Sequence, residues 1–276
     1  MTMMASWVAC DPHGISSAYI VSDSRITWDK TTYYDYGKKV FASSLYPELF
    51  GYAGDVLFPS IVLSQILELI DRGILLTKKM SCSEKNSLVF EKICESLSKY
   101  PDIMGNNPVH IMHISRETEF SGYPSFHQYI LKWSQKSGFS QEEFILPAQS
   151  GLTHVMGTGR TVFYSNYERY QKGPNTNTSR NIFHCFIDTL SNVKDYACGG
   201  SPQLVGLYRK PGTAGKNYGI IYDKKRYFLG MEVPREVSHE NFDHVEWRNE
   251  NFELCSGETK RILPDAVNQP DTLRRK

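Results

Sequence analysis

The residues Ala5-Ser-Trp-Val-Ala-Cys10, Tyr19-Ile-Val-Ser-Asp-Ser-Arg-Ile-Thr27, Gly37-Lys-Lys-Val-Phe41 and Gly51-Tyr-Ala-Gly54 decide how this chain is read. Trp7 to Cys10 and Ala18 to Val21 are apolar without a gap, the pattern of strands covered on both faces. Asp11-Pro-His-Gly14 between them is a turn, so residues 6–10 and 17–22 pair antiparallel. The second strand runs into Ser22-Asp23-Ser24-Arg25. A carboxylate at the end of a buried strand, flanked by small hydroxyl residues, is held where a sheet meets a cavity. Lys39 follows sixteen residues after Asp23, just ahead of the apolar pair Val40-Phe41. An Asp and a Lys delivered from neighbouring strand ends form a desolvated pair, and burial with the nearby carboxylate decides how basic the Lys is. The stretch reads as part of an active-site floor.

Outward from there the period changes. From Asp55, apolar residues recur at helical spacing (Val56, Leu57, Ile61, Val62, Ile66, Leu69, Ile70), with Pro59 tolerated in the first turn and Gly73 as the stop. A second helix is capped by Ser81 or Ser83 and closed by Pro101. Val109 to Ile114 and Phe126 to Trp133 read as strands, with a Ser121-Gly-Tyr-Pro turn before the latter. His154 to Gly159 is a strand ending on Gly157-Thr158-Gly159, followed by a helix over 162–170. The polar run Gly173 to Ser179 is a loop, and Arg180 to Asn192 is a fourth helix with Ile182, Phe183, Phe186, Ile187 and Leu190 as its apolar stripe. Strands follow at Gln203 to Tyr208, Gly219 to Tyr222 and Arg226 to Leu229. This order of strands, two helices, strands, two helices, strands suits an α+β fold, a four-layer α-β-β-α sandwich of two antiparallel sheets. It spans residues 1–234; residues 235–276 read as a largely irregular C-terminal extension with a basic end, Arg274-Arg275-Lys276.

Net charge is +1 over 276 residues with the signs interspersed, which leaves no footprint for nucleic acid or a membrane surface. The richest apolar segment, Val56 to Leu76, is broken by Pro59, Gln65, Glu68, Asp71 and Arg72 and is not a membrane span. No secretory leader is visible and the six cysteines are scattered, so the expectation is a cytoplasmic protein with reduced thiols. His110-x-x-His113 invites a metal, but on a strand the two point to opposite faces, so no metal is assigned. His13 reads as a solvated turn residue, and Glu142-Glu143 receives no role.

The run Ser22-Asp-Ser-Arg-x-Thr27, then Lys39-Val40, then Gly51-x-Ala-Gly54 before a helix resembles the proteasome β-subunit and bacterial HslV family of N-terminal-nucleophile hydrolases. Two further stretches add to the resemblance. Gly157-Thr158-Gly159 is similar to the family's Gly-Ser-Gly, and Asp195-x-x-Cys198-Gly199-Gly200 to its Asp-x-x-Ser-Gly-Gly, with Cys replacing Ser. The resemblance implies the same layered sandwich and a threonine-type peptidase or amidohydrolase. It implies that Asp23 and Lys39 flank the nucleophile, that Asp195 and Cys198 hold the terminal amine, and that Thr158 supports them. It further implies that Gly54 donates to the oxyanion, that Tyr52 lies near the primary side-chain pocket, and that the subunits assemble into a homo-oligomeric ring. The substrate is then a peptide or protein, a regulatory partner is possible, and neither a metal nor an organic cofactor is needed.

The nucleophile is where the resemblance departs. Aligning Val8-Ala9 with the family's first strand puts Ala5, which has no hydroxyl, at the catalytic position. Removal of Met1 would expose Thr2, which reaches the site if Met3, Met4 and Ala5 form a bulge. Cleavage before Ser6 would expose a hydroxyl one position late. The third reading is a catalytically inactive, proteasome-like subunit acting as a scaffold or interaction protein. Thr2 is the simplest choice, because its own α-amine titrates well below Lys and can take the hydroxyl proton near neutral pH.

Overall fold

Strand pairing begins at the start of the chain. In the computed structural model, which describes residues 2–101, 107–117, 123–234, 242 and 244–266, β1 (Met4–Asp11) and β2 (Gly14–Ser22) form an antiparallel hairpin. Met1, the Ser121-Gly122 part of the expected turn, most of residues 235–243 and the basic end lie outside the described residues. The short β3 (Ile26–Thr27) and β4 (Tyr33–Tyr34) pair with each other, and β5 (Val40–Ala42) leads into β6 (Glu48–Gly54). Helix α1 (Leu57–Asp71) follows, its first turn capped by Asp55 Oδ1 accepting from Phe58 N at 3.2 Å. Helix α2 (Cys82–Ser98) starts on Ser81, whose hydroxyl and the Glu84 carboxylate exchange backbone hydrogen bonds in a capping box.

The chain then lays down β7 (Val109–Arg116), β8 (Phe126–Ser134), β9 (Gly138–Phe144) and β10 (Gly151–Met156). Helices α3 (Arg160–Tyr170) and α4 (Ser179–Asn192) come next, followed by β11 (Gln203–Tyr208), β12 (Lys216–Tyr222), β13 (Lys225–Phe228) and β14 (Met231–Glu232). Two last strands are β15 (Glu246–Asn249) and β16 (Leu254–Cys255). The fold is α+β, with four helices among the described residues and two principal sheets. One sheet runs β5-β6-β7-β8-β9, antiparallel throughout. The other runs β10-β1-β2-β11-β12-β13-β14, with β15 parallel to β12 and β16 beside it.

Three apolar clusters show where each face goes. Met3, just before the first strand, and Ala5 and Trp7 on it pack with Phe163 of α3 and Phe183 and Phe186 of α4. Phe50 and Tyr52 of β6 pack with Phe58, Val62 and Ile66 of α1 and Val89 and Ile93 of α2. The alternate residues, Met4 and Val8 on one sheet and Leu49, Ala53, Met112 and Ile130 on the other, form a third cluster between the sheets. The period-2 alternation of strand side chains is what lets each sheet serve two cores.

Several elements escaped the sequence reading. Strand β9 (GFSQEEF) has few apolar residues because it is an edge strand, yet Glu143 accepts from His127 and Glu142 pairs with Lys132 at 3.0 Å. Trp247 on β15 is buried against Gly219 of β12, where a Cβ would meet its ring at 2.3 Å, so part of the stretch read as irregular adds to the sheet. His110 and His113 do face opposite ways. His113 stacks on Phe50 with centroids 4.5 Å apart and bonds Glu48 at 2.9 Å, while Lys85 of α2 donates to the other Glu48 oxygen at 2.8 Å. All three side chains are 0% exposed. The adjacent Arg116 guanidinium donates to the carbonyls of Tyr208, Lys210 and Thr213, tying the five-stranded sheet to the β11–β12 connection. No described helix is long and apolar enough to cross a membrane.

Candidate functional site

Asp23 directly follows β2, and both of its carboxylate oxygens are engaged although the residue is 0% exposed. Oδ1 accepts from Lys39 Nζ at 2.8 Å and from Met3 N at 3.1 Å; Oδ2 accepts from Gly199 N at 3.1 Å and Arg25 N at 3.4 Å. A buried carboxylate is tolerable only with such partners. The groups come from the start of β1, the end of β2, the segment before β5 and the turn after α4, so the site is where four segments converge.

Met3 N is one end of the Thr2–Met3 peptide. The other end, Thr2 O, accepts from Gly159 N at 3.3 Å. Gly157 adopts φ +90° and passes so close that a Cβ there would lie 1.8 Å from Thr2 O. This is the reason for glycine at 157: any side chain would drive Thr2 away. Thr2 itself is 1% exposed.

The β1–β2 register settles how Thr2 gets there. Met4↔Ser22 through Ala9↔Ser17 pair in constant register, and the only shift in this hairpin lies at Ala9/Cys10. Met3, Met4 and Ala5 therefore form no bulge, contrary to the condition set above for Thr2. The hairpin is long enough that Thr2, and not Ala5, arrives opposite the Asp23 end. Ala5 sits mid-strand opposite Val21 with its methyl in the helix-side core. Ser6 is likewise mid-strand and 0% exposed, bonded to Thr153 at 2.6 Å and Gln128 at 3.2 Å between the sheets, away from Asp23.

Asp195 receives Ala197 N at 3.0 Å and Cys198 Sγ at 3.7 Å, and that Sγ lies 3.8 Å from Thr158 Oγ1. Burial, with the charges of Asp23 and Asp195, pushes the Cys198 thiol up to about 12, against smaller opposing effects of Thr158 and Lys39. Cys198 is therefore a neutral thiol that donates to Asp195, not a nucleophile. Native protein treated with iodoacetamide at pH 8 should leave Cys198 unmodified and label it only after unfolding. Peptide mapping by mass spectrometry checks this, and prompt native labelling at Cys198 would refute it.

Asp23, Lys39, Thr2, Asp195, Cys198 and Thr158 thus gather in one place. Tyr52 adjoins that group through its backbone, its N–H donating to Lys39 O at 3.1 Å, and Gly54 lies two residues further along β6. Tyr52 points to the helix-side core, where it packs on Phe41, and its hydroxyl donates to Lys38 O at 3.1 Å. Gly54, φ +100°, lies at the end of β6 against Pro108 and lines a cleft of about 890 Å³, whose far wall includes Gly157 and Thr158.

Gln203 was missed from sequence. Its Nε2 donates to Asp23 O at 3.0 Å and Gly37 O at 2.7 Å, while its Oε1 accepts from Lys39 N at 3.1 Å. One buried amide thus holds the backbones of both Asp23 and Lys39. A lone Gln opening a strand carries no signal of that kind. Gly199 and Gly200 are also dictated by contact: a Cβ at Gly199 would meet the Arg25 guanidinium at 2.5 Å, and one at Gly200 the Ser24 hydroxyl at 2.3 Å. No group of His, Cys, Asp and Glu able to hold a metal occurs among the described residues.

No protein-family profile matches the chain, and no curated protein matches it in sequence. Among solved structures it is similar to the Anbu complex from Pseudomonas aeruginosa, a helical assembly, with a TM-score of 0.55 and 16% identity over 78% of this chain and 85% of that one. An Anbu Gly-1 mutant from Hyphomicrobium sp. strain MC1 aligns with a TM-score of 0.48 and 12% identity over 79% of this chain and 87% of that one. Membership of the proteasome β-subunit and HslV family, to which the motifs pointed, is not upheld, because that family's profile does not match. What the comparison establishes is a shared fold with Anbu, an HslV-like, proteasome-related protein.

Proposed function

We propose that the chain is an amide hydrolase, a threonine-type peptidase acting on peptides or proteins, with Thr2 as an N-terminal nucleophile. The observation that carries this reading is the clamp on the Thr2–Met3 peptide, held by Asp23 at its N–H and by Gly159 at its carbonyl. That clamp brings Thr2 to the carboxylate that binds Lys39. The reading requires Thr2 to carry a free α-amine, so whatever precedes it must be removed. The amine, with a reference pKa of about 7.7–8.0, takes the hydroxyl proton as Oγ1 attacks the carbonyl. It then passes that proton to the leaving amine, and water cleaves the resulting ester. The Lys39 ammonium, anchored by Asp23, lowers the barrier electrostatically, while Asp195 with Cys198 and Thr158 positions the amine. The oxyanion donor is a backbone N–H of the cleft wall, for which Gly54 is our assignment.

The arrangement rests on an α-β-β-α stack of four layers, which the three apolar clusters support. Residues 1–234 carry the site, and 235–276 add the β15–β16 pair to its sheet. Exposed Leu57 and Ile61 on α1 favour self-association, and the fold neighbour from Pseudomonas aeruginosa assembles helically. A second reading, a catalytically inactive subunit acting through its surface, is favoured by the burial of Thr2.

A peptide epoxyketone separates the two readings, since its ring adduct needs a hydroxyl and a free α-amine on one residue. Protein whose intact mass shows Thr2 to be first should gain one adduct. Thr2→Ala should gain none and lose peptide hydrolysis by about 10³-fold or more. Cleavage by Thr2→Ala at the parental rate would end the reading.

A further inference from the structure

The cleft beside the site has a chemical character of its own. Its lining brings Lys132 of β8 and Arg160 at the start of α3 together with His110 of β7 and His154 of β10. His110 and Lys132 are directly opposite in the β7–β8 ladder, and His154 projects from the facing sheet. The apolar part of the lining includes Ile26, Leu57, Ile130 and Met156. Two carboxylates bear on this charge: Asp55 lines the cleft and Glu142 lies beside it. Asp55 is engaged with Phe58 N at 3.2 Å, and Glu142 pairs with Lys132 at 3.0 Å in a contact half open to water. An exposed pair of that kind is weak and is exchanged at little cost.

We propose that this cleft binds an acidic side chain of the substrate, a Glu or Asp whose carboxylate is met by Lys132 and Arg160 with the two imidazoles beside them. The inference rests on the hydrolase reading for its substrate, a peptide, and on the cleft alone for its charge preference. Gly157 and Thr158 form a shared wall: on one side they abut Thr2 and Cys198, on the other they line the cleft. A peptide whose amide reaches Thr2 therefore places a neighbouring side chain here. The apolar residues suit the methylene stem of Glu. Helix α3 starts at the cleft with no side-chain cap, so its positive end adds to the attraction.

The histidines supply a second signature. Desolvation, then the charges of Lys132 and Arg160, holds His110 below its usual value. His154 is held at about 4 by desolvation and by Lys132, Arg160 and His110, with Glu142 opposing. Both are neutral in the empty cleft at pH 7. A bound carboxylate favours their charged forms, so binding takes up protons and tightens as pH falls. The gain ends near pH 4.3, where a free Glu side chain itself protonates.

The test uses the full chain carrying Thr2→Ala, which binds without turnover, and two dye-labelled peptides that differ only by Glu or Gln at one position. Fluorescence anisotropy should show the Glu peptide binding about tenfold tighter at pH 7, which is about 1.4 kcal/mol. The ratio should widen by about threefold to tenfold between pH 7.5 and 5.5. In Lys132→Gln/Arg160→Gln the ratio should fall to about one, and Lys132→Arg/Arg160→Lys should restore it. Both side chains are partly exposed, so neither change endangers the fold. Equal binding of the two peptides, or a ratio untouched by the double Gln variant, overturns the inference. Charge-selective binding without cleavage by protein with a free Thr2 overturns the hydrolase reading instead. Cleavage with no preference for Glu does the reverse.

Discussion

Lys39→Ala should abolish hydrolysis of any peptide the parent cleaves, lowering kcat by about 10³-fold or more, and should cost about 3–5 kcal/mol of folding stability. Both effects have one origin. The ammonium is 0% exposed and donates to Asp23 at 2.8 Å, so its removal leaves a buried carboxylate with backbone donors only. The large stability loss is the cost of an uncompensated charge and not the net worth of the pair. The isosteric change Asp23→Asn separates the two roles. In the double variant Lys39→Ala/Asp23→Asn neither charge remains, so part of the stability should return. Activity should not, because the ammonium is still missing at the nucleophile. Urea denaturation and steady-state kinetics on the four proteins of this cycle give the answer. A Lys39→Ala protein with parental kcat would show that the buried pair is structural and nothing more.

Lys85→Ala should destabilise by a similar amount, about 3–5 kcal/mol, for the same electrostatic reason at a different place. Lys85 bonds Glu48 at 2.8 Å and Arg116 O at 3.0 Å, and Glu48 also serves His113, whose other nitrogen meets Asn86 at 3.1 Å. Nothing in that network touches Thr2, Asp23 or the cleft lining. The expected outcome is a lower denaturation midpoint with kcat retained under folding conditions, in contrast to Lys39→Ala. Lys85→Met, which keeps the stem packed, should recover part of the loss. Stability within about 0.5 kcal/mol of the parent would mean that the pocket rehydrates and that the network does not hold α2 to its sheet.

Much of the site was legible because its parts are short and contiguous. Ser22-Asp23-Ser24-Arg25 ends a strand, Gly157-Thr158-Gly159 opens a helix, and Cys198-Gly199-Gly200 follows one. Each is recognisable locally, although the close approaches that require glycine at 157, 199 and 200 are to Thr2, Arg25 and Ser24, far away in the chain. The alignment of Ala5 with the catalytic position, which left Thr2 needing a bulge, has an equally definite cause. Counting from Val8-Ala9 assumes a hairpin length, whereas the ladder from Met4↔Ser22 to Ala9↔Ser17 measures it. The ladder carries the strand start far enough from the turn that Thr2, with no bulge, adjoins Met3, whose N–H donates to Asp23. The resemblance set Tyr52 near the side-chain pocket, and the alternation along β6 packs its ring on the helix side.

The sequence alone determined the hairpin, the four helices, the alternation of strands with helix pairs, and the pairing of Asp23 with Lys39. The elements follow from periodicity, and the pairing from two strand ends sixteen residues apart in one contiguous stretch. Only the tertiary structure decided that Thr2 is clamped between Asp23 and Gly159, and that Gln203 holds the Asp23 and Lys39 backbones. It also decided that Lys132, Arg160, His110 and His154 share one cleft, and that Trp247 closes over Gly219. These contacts join residues far apart along the chain, and which of many polar side chains meet is set by strand register and facing sheets, which no local pattern records.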